Sequence, residues 1–273
     1  HLYFSTGPIS VSYYTTPLVM MVNRKLAMDY GLPDLYQMVD DGTWTVDAMM
    51  RLCKDVGQDV NEDGKMTMDD RYGLSVECNA GNALFVAAGE QMITRTGADT
   101  FVLSMDSERA VDVIQTISAY MADKNTVFVS DFTVNNAYDH RDTVFKEGRA
   151  LFCASHTGGI MYTLRDMEDS FGILPIPKYE ETQKEYRSYC NTFMPSGVAV
   201  PLLCSDLERT SIIIEALARE AYQTVAPEVY SVTISKKVSR DEDSTRILDM
   251  VYEKPFFDFN AIYDFGGTSI LLR

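Results

Sequence analysis

The residues with the most specific chemistry lie in the run Asp59-Val60-Asn61-Glu62-Asp63-Gly64-Lys65-Met66-Thr67-Met68-Asp69-Asp70. Side-chain oxygens stand at its first, third and fifth positions (Asp59, Asn61, Asp63). Gly64 is sixth and a carboxylate, Asp70, is twelfth. Ca²⁺ takes about 6–8 oxygen ligands, and a glycine at the sixth position permits the sharp turn that gathers them. The seventh residue would add the Lys65 carbonyl, and Thr67 stands ninth. Aspartate at the twelfth position reaches less far than glutamate, so the loop must tighten or bind more weakly. The expected ion is a structural Ca²⁺ that pins a loop. A solvated acidic turn between two helices has the same letters.

The chain has three histidines: His1, His140 and His156. His140 falls in a polar helix start and reads as a surface residue. His156 lies in Ser155-His156-Thr157-Gly158-Gly159, after an apolar strand and before a helix. Open α/β sheets bind ligands beyond the carboxyl ends of their strands, and helix N–H groups there receive polar oxygens. His156 and Thr157 are therefore candidate solute contacts, and a plain strand-to-helix turn fits them equally. Asn79 and Asn82 flank Gly81 after the strand YGLSVE. Their amides either pair with solute hydroxyls or shape a turn. Tyr14, after another strand-like segment, offers a ring to an apolar sugar face. Trp44, the single tryptophan, precedes a helix cap and reads as a packing residue.

Catalysis is not expected. Ser155 and His156 are adjacent, so in an extended chain their side chains point apart, and a nucleophile needs an oriented base. No G-x-S-x-G elbow occurs. Acidic residues are too many for one pair to stand out as a glycosidase dyad.

Short apolar strands between amphipathic helices must position these groups, which indicates an α/β architecture. LYFST and ISVSYY alternate as strands do. LVMMVNRKLAMDYG reads as a segment running into a helix that stops at Gly31, with Pro33 behind it. Thr45 caps a helix with Val46, Met49, Met50, Cys53 and Val56 on one face. Asp106 or Ser107 starts another, with Ala110, Val113, Ile114, Ile117 and Met121 inward. A short helix over 143–147 ends at Gly148. Strands follow over 149–154, 171–176 and 197–200. Ser205 and Glu208 have capping-box spacing and open a long helix. A last helix spans 241–254.

The net charge of −16 argues against nucleic acid, whose phosphates need clustered Lys and Arg, and against an anionic membrane surface. No run reaches the ~18–20 apolar residues of a membrane span. Five cysteines without a CxxC pair give neither a zinc site nor a disulfide framework, and read as small buried apolar residues.

The segments VNRKLAMDYGLPDLYQMVDDGTWTVDAM, VFKEGRALF, FGILPIPKYEETQKEYRS, RDEDSTRILDMVYE and IYDFGG carry a resemblance over nearly the whole chain. In this order the chain resembles family 1 extracellular solute-binding proteins, the maltose-binding-protein class. It is more closely similar to the lipoprotein branch of Gram-positive bacteria. The resemblance implies a periplasmic-binding-protein-like two-lobed fold (type II), with part of the first lobe missing from this chain. It implies a division into 1–16 (lobe one strand and hinge), 17–195 (lobe two, carrying the acidic loop), 196–245 (hinge return and lobe one helices) and 246–273 (return towards lobe two). Tyr14, Asn79, Asn82, His156 and Thr157 would line the cleft. The implied function is capture of a polar solute, first a carbohydrate or oligosaccharide, for an ABC permease. The implied setting is an extracytoplasmic, lipid-anchored monomer. Two other classes stay open: a surface adhesion or scaffold protein that has lost transport, and a glycan-active enzyme. Dockerin scaffold modules, whose loop the 59–70 run resembles, carry two such loops, and one is found here.

Overall fold

The computed structural model describes residues 5–98, 100–130, 137–164, 166–229 and 242–263. In chain order the elements are β1 (Leu18–Asn23), α1 (Arg24–Asp29), α2 (Leu35–Asp40), α3 (Val46–Cys53), β2 (Tyr72–Glu77), α4 (Ala80–Ala87), β3 (Ile93–Arg95), β4 (Phe101–Leu103) and α5 (Glu108–Met121). There follow β5 (Val127–Ser130), α6 (Ala137–Lys146), β6 (Ala150–His156), α7 (Thr157–Tyr162), β7 (Phe171–Leu174), β8 (Ser188–Tyr189), α8 (Leu207–Glu228), α9 (Glu242–Glu253), β9 (Pro255–Phe256) and α10 (Phe259–Tyr263).

Five strands form one mixed sheet in the order β5-β2-β6-β1-β7. β2 pairs in parallel with β5 and β6, while β1 lies antiparallel between β6 and β7. Every residue of β1, β2 and β6 is buried. Successive side chains point to opposite faces, so both faces of the sheet are covered; β1 and most of β6 are continuous apolar runs, while β2 also buries Ser75 and Glu77. Trp44 is fully buried. Its ring lies 5.4 Å from that of Phe152, and its Nε1–H donates to the Pro175 carbonyl at 2.9 Å. The packing role expected for Trp44 is thus realised, with its one polar atom paired. Close approach fixes Gly73: a Cβ there would sit 2.4 Å from Cys53 Cβ, so α3 rests directly on β2.

Local signals placed several elements well. Thr45 accepts from Ala48 N, and Ser107 from Ala110 N, as N-caps of α3 and α5. Others need correction. ISVSYY is not a strand. Val11–Thr15 is a 3-10 turn in which the Thr15 and Thr16 hydroxyls bond back to the Ser12 and Tyr13 carbonyls, so local hydroxyl bonds win over alternation. In LYFST, residues 1–4 lie outside the described residues, and Ser5 makes an isolated bridge to Val198. That bridge is also the pairing found for 197–200, which forms no strand. LVMMVN is β1, and helix α1 begins only at Arg24, where the Asn23 side chain accepts from Leu26 N. α6 starts at Ala137, six residues before the expected start. β7 stops at Leu174, because Pro175 has no N–H to donate. Cys53, Cys153 and Cys190 are buried, whereas Cys78 and Cys204 are partly exposed. α9 packs on β7 through Ile247, Leu248 and Val251, and its Ser244 hydroxyl accepts from Ile173 N.

The long helix α8 is capped by Asp206, not Ser205. The Asp206 carboxylate accepts from Arg209 N at 2.9 Å. An aspartate one residue later reaches the third helical N–H and adds negative charge at the positive end of the helix. Asp206→Ala is expected to cost about 0.5–2 kcal/mol, and Ser205→Ala close to nothing, in urea denaturation followed by circular dichroism. A cost confined to Ser205→Ala would return the cap to Ser205.

Candidate functional site

The parallel strands β2, β5 and β6 end together, and the chain crosses this edge twice. The first crossing is the 3-10 turn with Thr16 and Pro17. The second is the 188–193 segment, joined to the first by a Pro17–Cys190 bridge and by Asn191 N donating to the Thr16 carbonyl. Polar side chains concentrate here, where the strands no longer need apolar residues on both faces.

His156 ends β6 and Thr157 opens α7 directly beneath the crossings, and both are buried. His156 Nδ1 lies 3.1 Å from the Thr16 carbonyl, which makes Nδ1 the protonated nitrogen. Nε2 is then free to accept from Asn191 Nδ2 at 3.4 Å. Thr157 Oγ1 donates to the Tyr14 carbonyl at 3.0 Å. Both side chains therefore hold the first crossing to the sheet. Ser155 is not paired with His156. Its hydroxyl accepts from Arg141 Nη2 at 2.8 Å.

Arg141 and Asp142 were not legible as site residues, because a polar Arg-Asp pair in a helix reads as a solvated face. Both are buried instead. Arg141 Nε donates to Asp142 Oδ1 at 2.7 Å, and the Ser75 hydroxyl donates to the Arg141 carbonyl. A Cβ on Gly159 would lie 2.5 Å from Ser155 Oγ and 3.3 Å from Asp142 Oδ2, so glycine is what lets α7 seat over this pair.

Asn79 and Asn82 come together at the start of α4. Asn79 N donates to Glu77 Oε2, yet the side-chain carbonyl oxygens of both asparagines are buried and meet no hydrogen-bond partner in the protein. A buried acceptor without a donor costs about 1–3 kcal/mol, which a bound donor would recover. Tyr14 lies elsewhere. It lines a cavity of about 480 Å³ with Tyr13, Tyr222, Tyr252 and Glu253, where the 3-10 turn meets α8 and α9. The Tyr252 hydroxyl donates to the Tyr14 carbonyl at 2.6 Å, and Tyr14 Oη is buried without a partner. A further cavity of about 340 Å³ opens between α4 and α5, past the ends of β2 and β5.

The acidic loop hangs between α3 and β2, closed at its base by the Gln58–Arg71 bridge. Asp59 Oδ2 accepts from Gly64 N, Asn61 Oδ1 from Asp63 N, and Asp63 Oδ1 from Lys65 N. Glu62 and Gly64 take the left-handed conformation, at φ 57° and 79°. Asp70 is buried and accepts from Thr67 N, Val60 N and the Thr67 hydroxyl. Those hydrogen bonds, the Thr67 N–H foremost, hold its carboxyl below the usual carboxylate range. Asp59 Oδ1 is buried without a partner. Among the described residues no three His, Cys, Asp or Glu side chains converge as a ready metal cluster.

No family model and no curated protein matches the chain. Solved structures do. A maltose/maltodextrin-binding domain MalE from Bdellovibrio bacteriovorus, bound to maltotriose, matches 93% of this chain and 62% of its own, with TM-score 0.57 and 18% identity. The fold is that of the MalE-type solute-binding proteins. The maltose-bound MalE3 of T. maritima matches with TM-score 0.60 and 13% identity, covering 97% of this chain and 66% of its own. An ABC substrate-binding protein of Listeria monocytogenes in complex with cycloalternan gives 0.60 at 11%, covering 99% and 65%. This chain thus spans about three fifths to two thirds of the length of the MalE-type structures it matches. The periplasmic-binding-protein-like fold expected from the sequence is the fold observed. Among the described residues no helix is long and apolar enough to cross a membrane.

Burial, then the Arg141 charge, push the His156 pKa down from 6.5 to about 3, against the Thr16 hydrogen bond. Above pH 6.5 the ring is neutral in the folded and unfolded chain alike. Below it the unfolded chain takes up a proton that the folded chain refuses until about pH 3. Stability should therefore fall with pH across that window, by up to about 1.4 kcal/mol per unit. Thermal melts at pH 7 and pH 5 should show a smaller drop for His156→Gln than for the parent. Equal drops would mean that His156 is not the acid-sensitive group.

Proposed function

We propose that this chain is the solute-capturing part of an extracytoplasmic binding protein that delivers a carbohydrate to an ABC permease. The observation that carries the reading is the pair of buried, partnerless amide oxygens of Asn79 and Asn82. They stand beyond the carboxyl end of β2, where open α/β sheets take their ligands. They need donors, and sugar hydroxyls are donors. Support also comes from the fold, since two matched MalE proteins were solved with maltotriose and maltose, and a matched ABC substrate-binding protein with cycloalternan. The seating of Ser155 against Arg141 and of His156 against Thr16 and Asn191 leaves that pair without the alignment a hydrolase requires. In this reading the protein is a lipid-anchored monomer. Solute selects a closed form by its greater affinity for that form. His156 and Thr157 shape the site by holding the first crossing, and Tyr14 offers its ring from the neighbouring cavity.

A thermal-shift screen of the full-length protein tests this. Maltotriose, cycloalternan or another oligosaccharide should raise the melting temperature, because a ligand of the native state alone adds RT ln(1 + [L]/Kd). The glycan should be recovered intact. Shifts only with peptides or amino acids would overturn the carbohydrate reading, and cleaved glycan would make the protein an enzyme.

The same reading gives the 59–70 loop a structural Ca²⁺, held by Asp59, Asn61, Asp63, the Lys65 carbonyl and Asp70. The spacing, the left-handed turn at Gly64 and the partnerless Asp59 Oδ1 support it. Calorimetric titration with Ca²⁺ should show one site that Asp63→Ala removes. Identical heats in the two proteins would leave the loop as a turn held by its own hydrogen bonds.

A further inference from the structure

The cavity of about 480 Å³ at Tyr14 falls within the range of about 300–1,000 Å³ usual for small-molecule sites, and its wall carries charge of one sign. Tyr13, Tyr14, Tyr222 and Tyr252 supply rings, while Asp249 and Glu253 supply carboxylates. Among the described residues no Lys, Arg or His lines it. Lys254, next to Glu253, pairs instead with Glu185 at 3.0 Å.

Two helices end at this wall. Ala226, Pro227 and Val229 bring in the C-terminus of α8, and Tyr252 and Glu253 bring in that of α9. A helix C-terminus carries about half a negative charge, which a Lys, Arg or His in the last turn offsets. Neither α8 nor α9 has a basic residue there. α9 instead places Asp249 and Glu253 four residues apart, a like-charge spacing that costs a helix stability. A cation is what relieves charge of this sign.

The rings select the kind of cation. Those of Tyr13 and Tyr14 stand 5.3 Å apart at 89°. They make a corner rather than the flat platform that suits the face of a sugar. Stacking on Phe257 at 5.9 Å holds Tyr13, and the hydrogen bond of its hydroxyl to the Tyr14 carbonyl holds Tyr252. Burial, foremost, pushes the Tyr13, Tyr14 and Tyr252 phenols up, so these rings stay neutral at ordinary pH. Neutral aromatic faces attract an ammonium group within about 6 Å of their centroids, most strongly where water is shed. A hard metal ion needs about six oxygens, and this wall is mostly ring and hydrocarbon. The Tyr14 hydroxyl, buried and without a partner in the protein, is left to accept an N–H.

We propose that this cavity binds a free alkylammonium cation, its charged head among the four tyrosine rings, its N–H donating to Tyr14 Oη, and the Asp249 and Glu253 carboxylates at the rim. The proposal goes beyond the carbohydrate reading and does not depend on it. Tyr14 is the one residue that the two share.

The test is calorimetric titration of the full-length protein at pH 7 with n-butylammonium chloride, tetramethylammonium chloride and 1-butanol. Both cations should bind and 1-butanol should not. Tyr222→Ala, whose ring is 65% exposed, should weaken both cations about two- to fivefold, the range of an exposed cation–π contact, with an unchanged melting temperature. Glu253→Gln should weaken both by a similar factor, and by less in high salt. Tyr14→Phe keeps the ring and removes the acceptor. It should weaken n-butylammonium and leave tetramethylammonium, which has no N–H, unchanged, a contrast that a merely structural role would not produce. The oligosaccharide that stabilises the protein most should bind Tyr222→Ala and Glu253→Gln as it binds the parent. Sedimentation with phosphatidylcholine vesicles should leave the protein in solution. Equal binding of 1-butanol and n-butylammonium, no binding of either cation, parent-like affinity for both cations in Tyr222→Ala and Glu253→Gln, or the same loss of both cations in Tyr14→Phe overturns the cation site and leaves the carbohydrate reading standing. Loss of oligosaccharide affinity in Tyr222→Ala and Glu253→Gln makes the cavity part of the sugar site and overturns the proposal too, and pelleting with the vesicles replaces the free cation by a lipid headgroup. Failure of every glycan to bind, with the cations bound as expected, overturns the carbohydrate reading alone.

Discussion

The structure depends on β1 being inserted antiparallel between β6 and β7. Its six residues are all buried, so both faces of the strand lie against covered side chains. The register pairs Leu18 with His156 and Val22 with Phe152 on one side, and Met21 with Ile173 on the other. A slip by one residue would turn every side chain to the opposite face. The strand cannot shift without losing the whole core, which runs through Met20, Met21, Phe152 and Ile173. Proline fits at its start because Pro17 has no N–H, and the chain there leaves the sheet to make its crossing.

That register decides where polarity is tolerated. His156 arrives under the first crossing because Leu18 is opposite it, and burial there keeps the ring neutral. Arg141 is buried with its neighbour Asp142 and the Ser155 hydroxyl. A charge in that position persists only where it is paired and hydrogen-bonded. Glycine at 159 is the steric condition for this pairing. Burial also pushes the Cys53 and Cys153 thiols well above their ordinary range, so these cysteines behave as packing residues. The edge therefore combines satisfied groups that fix the crossings with two amide oxygens that meet no donor in the protein.

α8 stands apart from this arrangement. It contains no buried residue, and Leu207, Ile212, Ile213 and Leu217 are all exposed. Its cap is fully formed nonetheless, because a side chain at the N-terminus of a helix needs only its own next turn. The acidic loop is similar: its hydrogen bonds join residues at most ten positions apart, and the bridge at its base joins Gln58 to Arg71.

Features whose partners are near in sequence were determined by the sequence itself. Thr45 and Ser107 cap their helices, the 59–70 loop turns at Gly64, and YGLSVE and the apolar run over 149–154 were legible as strands. Trp44 before a cap announced packing, and the ordered motifs announced the MalE-type fold. Near-neighbour rules also set their own limit. Ser205 and Asp206 are both cap-type residues in adjacent positions, and the structure starts the helix at Leu207, where the Asp206 carboxylate meets Arg209 N. The alternation in ISVSYY said strand until the hydroxyls of Thr15 and Thr16 found carbonyls three residues back. The tertiary structure alone decided that His156 and Thr157 serve the crossing, that Arg141 is buried, and that Tyr14 lines a cavity apart from Asn79 and Asn82. Burial depends on contacts more than a hundred residues apart, such as Leu18 with His156, and those are set by strand register, which no short window of sequence contains.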